Sequence, residues 1–171
     1  MIAIIPPEPG IYSLILNLST PRIIQIGKLG QFTFPPGEYV YIGSAMGPGG
    51  LQARLSRHLR GDGRPHWHID WLRVVTDVLG YCFLMTESLL ECRWGQALAG
   101  DPGASIPVPR FGASDCRSKG MYCSAHLILF KSGIHAEKLQ EILSSSDPLT
   151  LNMVRYSRFT SDSQADLEYL E

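Results

Sequence analysis

Between Ile11 and Ile42 the chain is cut by prolines and glycines into runs too short for helices and rich in β-branched and aromatic residues. Pro6, Pro7 and Pro9 delay regular structure until Gly10. Ile11 to Leu18 then reads as a strand and Thr20-Pro21 as a turn. Arg22 to Ile26 and Gln31 to Phe34 read as two further strands around a turn at Gly27 to Gly30. Pro35-Pro36-Gly37 interrupts again, and Glu38 to Ile42 forms a fourth run. A chain punctuated this closely must begin with a sheet.

The pattern then changes period. Gly43 to Gly50 is a glycine-rich loop, and Leu51, Leu55 and Leu59 recur at four-residue intervals, which predicts an amphipathic helix. Arg54 and His58 share one face of it. His66 to Val75 carries Trp67, Trp71 and Val74 at helical spacing, a pattern that reads as core rather than a stacking platform. Val78 to Met85 reads as a strand, Glu87 to Ala99 as a helix, Ala125 to Lys131 as a strand and Ala136 to Leu143 as a short helix. From Ser144 the chain is rich in Ser and Asp, and reads as an add-on or a loose tail.

Of the 171 residues 44% are apolar and 18% charged, which suits one domain with a real core. The net charge of −1 excludes a generic polyanion binder, so any nucleic-acid contact must come from a local patch. That patch is Arg54, Arg57, His58, Arg60 and Arg64. The apolar start, Met1 to Ile5, is too short for a signal peptide, and no stretch is long and apolar enough to span a bilayer. The expectation is a soluble, cytoplasmic protein whose four cysteines are reduced.

Gly10-Ile11-Tyr12 opens the first strand, Tyr41-Ile42-Gly43-Ser44-Ala45 closes the fourth, and Arg54-x-x-x-His58 follows on the helix. Tyrosine can orient or deprotonate a water, and arginine can neutralise a phosphate. The set therefore suits phosphodiester chemistry. With an ordinary pKa of about 10, a tyrosine becomes a useful base at neutral pH only beside a cation.

These signatures resemble the GIY-YIG nucleases, most closely their Uri-type branch. The ordered series Gly43 to Leu51, Arg54 to His58, His66 to Asp70, Glu91-Cys92, Phe111 to Cys116 and His126-Leu127 carries the resemblance across residues 10 to 131. It implies an α/β (α+β) fold, a small antiparallel sheet flanked by helices. The segment Ser19 to Gly37 is then a hairpin inserted between the two signature strands. Residues 1–9 become an N-terminal lead, 10–131 the nuclease-like domain, and 132–171 a C-terminal helix and tail. The resemblance implies a metal-dependent endonuclease acting on nucleic acid, DNA ahead of RNA, with a role in DNA repair or processing. Tyr12 becomes the base or water-positioning group, Tyr41 an orienting group and Arg54 the stabiliser of the pentavalent phosphate. His58 assists, and Glu91 holds Mg²⁺ or Mn²⁺. Glu91 is preferred to Glu87, four residues earlier, because its Glu-Cys context matches the branch. Ser44, Arg57, Arg60, Arg64, His66 and His68 are the expected nucleic-acid contacts. The alternatives are a non-catalytic nucleic-acid-binding domain and a structural or interaction module.

Two other constellations compete for attention. His66, His68 and Asp70 invite a metal reading, but on a helix His68 leaves the face shared by the other two. Asp115, Cys116, Cys123 and His126 are a candidate zinc set of unusual spacing, needing a fourth ligand from Cys92 or a distant histidine. Buried thiols are the simpler reading. A Cys123–His126 nucleophilic pair is weakened because residues three apart on a strand face opposite ways.

Overall fold

The computed structural model describes residues 4–61, 63–114, 116, 120–146 and 152–154. Strand β1 (Gly10–Leu18) is followed by β2 (Arg22–Ile26), β3 (Gly30–Phe34) and β4 (Gly37–Ser44). Helices α1 (Gly50–Arg60) and α2 (His68–Arg73) lead to β5 (Asp77–Met85) and α3 (Glu91–Ala99). The short β6 (Ala104–Ser105), then β7 (Leu127–Phe130), α4 (Ala136–Ser146) and β8 (Asn152–Val154) complete the described elements. Strands β2 and β3 form a separate two-stranded ribbon, the expected hairpin between the signature strands. The other six make one sheet in the order β6-β7-β4-β1-β5-β8, with every neighbouring pair antiparallel. The fold is the α+β class that the sequence predicts.

The sheet separates two apolar layers. Alternation along β1 sends Tyr12, Leu14, Leu16 and Leu18 to one face and Ile11 and Ile15 to the other. Leu51 and Leu55 of α1, Ile69 and Leu72 of α2, and Ile26 and Phe34 of the ribbon cover the first face. Trp94 and Leu98 of α3 with Leu139 and Leu143 of α4 cover the second. Burial on both faces explains why β1 is almost continuously apolar. Each fully buried leucine contributes about 1.5–3 kcal/mol.

The N-terminal lead caps α1. The carbonyls of Glu8 and Pro6 accept the amides of Leu51 and Gln52 at 2.9 Å, satisfying orphan donors of the first turn. Gly50 allows this approach, since a Cβ there would lie 2.2 Å from the Pro7 and Glu8 carbonyl oxygens. Of the C-terminal extension, α4 packs on α3, and β8 pairs with β5 from Tyr81↔Val154 to Phe83↔Asn152. The tail beyond residue 154 lies outside the described residues.

Several element boundaries shift. The third helix begins at Glu91 rather than Glu87, because the Thr86 hydroxyl accepts the Ser88 amide at 3.0 Å and holds a bend there. The second helix is confined to His68–Arg73. The seventh strand begins at Leu127, because the His126 amide is taken by the Phe111 carbonyl at 2.7 Å. No helix among the described residues is long and apolar enough to cross a membrane.

Candidate functional site

Strand register brings the two tyrosines together. Tyr12 lies opposite Gly43 and Leu14 opposite Tyr41, so Tyr12 and Tyr41 are diagonal neighbours on one face. Their ring centroids are 6.4 Å apart. The Tyr12 ring crosses Gly43, where a Cβ would sit 2.5 Å from the hydroxyl oxygen. Gly10 is likewise imposed by packing, with the Leu84 carbonyl oxygen 2.4 Å from where its Cβ would stand.

A cleft of about 160 Å³ opens above this face, lined by Tyr12, Tyr41, Ser44, Arg54, Trp67 and Glu91 among others. Arg54 lies flat on Trp67, its guanidinium carbon 3.7 Å from the ring centroid. Trp67 is therefore a cleft wall as well as a core neighbour, which the sequence reading did not anticipate. Glu91 is the first residue of α3, where the helix dipole favours a carboxylate. It is only 8% exposed, and its Oε2 has no hydrogen-bond partner among the described residues. A buried carboxylate oxygen without a donor is costly unless a cation completes it. Glu87 is exposed outside the helix and does not line the cleft.

Behind Tyr12 runs a chain of polar side chains. The Tyr12 hydroxyl lies 2.9 Å from His58 Nε2, and His58 Nδ1 faces Asp70 Oδ1 at 3.7 Å. Burial lowers the His58 pKa to about 4; Asp70 opposes this, while Arg54, Arg57 and Arg73 reinforce it. The imidazole is thus neutral at pH 7. Nδ1 makes no hydrogen bond among the described residues; in the tautomer that carries its proton there, Nε2 accepts from the Tyr12 hydroxyl. Burial would raise the Asp70 carboxyl, but the amides of His66 and Trp67 and the Arg57 guanidinium outweigh it and hold the group below its ordinary value. Burial also pushes both tyrosine hydroxyls up, with Arg54 pulling the other way, so both are protonated at rest.

The remaining expected contacts divide. Ser44 stands at the cleft, whereas Arg57 binds Asp70 Oδ2 at 2.9 Å and the Arg64 carbonyl at 2.8 Å. Arg60 and Arg64 are exposed. His66 is exposed and meets Trp67 edge-on, while His68 Nδ1 accepts the Gly112 amide at 3.0 Å and so ties α2 to the loop beneath the cleft. Asp70 was visible in the sequence only as a metal candidate beside His66. Its use as the partner of Arg57 and His58 depends on α1 and α2 packing side by side.

Next to Glu91, four side chains able to ligate a metal converge. Sγ of Cys92 lies 3.4 Å from that of Cys116 and 2.6 Å from that of Cys123, and the latter two are 3.1 Å apart. His126 Nε2 is 3.7, 3.5 and 3.2 Å from the sulfurs of Cys92, Cys116 and Cys123. All four ligand atoms lie within 4.8 Å of one another, a candidate metal-binding cluster. Cys92 is the missing fourth member. Cys123 and His126 reach the same point because both precede β7 in a loop, so strand alternation does not apply to them. Asp115 lies outside the described residues. Burial raises the Cys92 thiol to about 11 and pushes Cys123 up too, the wrong direction for a thiolate nucleophile.

No curated protein and no solved structure matches the chain. The GIY-YIG resemblance is corrected by the family comparison: the matching model is a different, functionally uncharacterised family, and nothing in the comparisons points to GIY-YIG. The physical reason the short signatures overreach is local, because packing against the Leu84 carbonyl and the Tyr12 hydroxyl already demands Gly10 and Gly43. With residues 11–147 matched, the chain belongs to the family described as Domain of unknown function DUF123.

Proposed function

We propose that the cleft hydrolyses phosphodiester bonds in nucleic acid, DNA ahead of RNA. The observation that carries this reading is the meeting of a tyrosine bonded to a neutral imidazole, a stacked guanidinium and an unsatisfied buried carboxylate in one hollow. A divalent cation, Mg²⁺ or Mn²⁺, would neutralise phosphate charge when bound. Glu91 is the residue to hold it. Arg54, held in place over Trp67, presents its N–H groups to a phosphate. Tyr12 orients the attacking water, its own hydroxyl held by His58 Nε2, and the water's proton leaves to solvent. The new bond joins the water oxygen to phosphorus, and the departing nucleotide oxygen takes its proton from solvent. Tyr41 and Ser44, both on the inner strand β4, orient the phosphate.

The Cys92, Cys116, Cys123 and His126 cluster offers soft donors that suit zinc rather than magnesium, so ligand chemistry keeps the two cation sites apart. The four free thiols fit the reducing cytoplasm. The test is cleavage of plasmid, single-stranded and branched DNA, and of RNA, with Mg²⁺ or Mn²⁺. Wild type is compared with Tyr12→Phe, Arg54→Ala and Glu91→Gln. The expected result is loss of cleavage by at least about 100-fold in each variant, with nucleic-acid binding retained in Glu91→Gln. Equal cleavage by all four proteins, or none by wild type on any substrate, overturns the reading.

A further inference from the structure

We infer that Cys92, Cys116, Cys123 and His126 hold one Zn²⁺ in a closed four-ligand site, and that this ion braces the wall of the cleft that carries Glu91. The inference stands whether or not the cleft cleaves phosphodiesters.

The four ligand atoms stand close enough for one ion to reach them all. Zinc–sulfur bonds of about 2.3 Å and zinc–nitrogen bonds of about 2.0–2.1 Å imply sulfur–sulfur edges of about 3.8 Å and sulfur–nitrogen edges of about 3.5 Å. The three sulfur–nitrogen separations, 3.7, 3.5 and 3.2 Å, fit directly. All three sulfur–sulfur edges are shorter than this: Cys92–Cys116 is 3.4 Å, Cys116–Cys123 is 3.1 Å, and Cys92–Cys123, at 2.6 Å, must open by about 1 Å. Cys123 can supply that movement, since it is the one partly exposed cysteine of the set and sits in a loop.

Packing alone does not explain the arrangement. Three thiols can share a dry patch with Ala113 and Met121. Such a patch has no need of an imidazole nitrogen directed at all three sulfurs. The ligands also come from separate places in the chain: the first turn of α3, the turn after Ala113, and the loop before β7. His126 is anchored on both sides, its amide on the Phe111 carbonyl at 2.7 Å and its carbonyl on the Ile42 amide at 2.9 Å. With four protein ligands there is no open position, which marks a structural rather than a catalytic zinc. On uptake the three thiols lose three protons to solvent and the imidazole stays neutral.

The cluster and the cleft share a wall. Glu91 precedes Cys92 on α3, and Cys116 and His126 themselves line the cleft. Gly95, one turn further along, lets α3 approach the Ala125 carbonyl, 3.0 Å from where a Cβ would stand. An ion joining the start of α3 to the 113–126 loop therefore fixes where the Glu91 carboxylate points.

The test is metal analysis of the full chain purified without chelator, followed by exchange with Co²⁺. One zinc per chain and a tetrahedral cobalt–thiolate spectrum are expected. Cys123→Ser should weaken zinc by at least about 100-fold, whereas Cys82→Ser, a buried cysteine outside the cluster, should keep it. In the wild-type chain, zinc removal should raise hydrogen exchange in residues 91–95 and 120–126 while β1 and β5 stay protected. Any of four results overturns the inference: protein isolated without metal, iron in place of zinc, a Cys92–Cys123 disulfide in reduced preparations, or exchange in 91–95 indifferent to zinc. The wild-type measurements decide the matter even where Cys123→Ser fails to fold.

Discussion

Lowering the pH from 7 to 5 should destabilise this protein through one side chain, His58. Its imidazole is almost fully buried and neutral, with a pKa near 4 against about 6.5 in the unfolded chain. Between those values the unfolded state binds a proton that the folded state refuses. Stability is therefore complete above about pH 6.5 and falls as the pH drops toward 4. The full separation amounts to on the order of 3 kcal/mol, of which about 2 kcal/mol is lost by pH 5. For a domain of this size that is a fall in Tm of roughly 4–8 °C. The other groups facing the ring do not blur the window. Asp70 is held below its ordinary range and stays charged throughout. Tyr12 stays protonated. The assay is thermal unfolding by circular dichroism at both pH values for wild type and His58→Gln. The wild type should lose about 2 kcal/mol more than the variant. Equal losses would refute the neutral, buried imidazole, and with it the acceptor role of Nε2 toward Tyr12.

Gly43→Ala places a Cβ 2.5 Å from the Tyr12 hydroxyl oxygen, so the ring must move and His58 Nε2 loses its donor. The expected cost is about 2–4 kcal/mol, measured by urea unfolding, with loss of any cleavage activity. Trp67→Ala removes the surface beneath Arg54 without changing charge. Nucleic-acid affinity should fall about fivefold while its salt dependence keeps the same slope, measured by fluorescence anisotropy across a salt series.

The family resemblance illustrates what short signatures can and cannot carry. Gly-Ile-Tyr and Tyr-Ile-Gly place tyrosines on adjacent strands, and the sheet register honours that. The glycines in them answer to local packing, so six residues report a strand pairing more surely than an ancestry. The leucine stripe of α1 was equally legible, since Leu51 and Leu55 face the sheet as their spacing requires.

Local pattern thus determined the elements: the four early strands with their inserted ribbon, the helix bearing Arg54 and His58, and the α+β class. Periodicity encodes which face of an element is apolar, and that is a property of neighbours in the chain. Tertiary packing alone decided the partners. Asp70 was spoken for by Arg57 and His58 only once α2 lay against α1, and Cys92 met Cys116, Cys123 and His126 only once α3 closed over the loop before β7. Such meetings join residues far apart in sequence, where register and helix placement rather than spacing set the distance, so no local pattern could announce them.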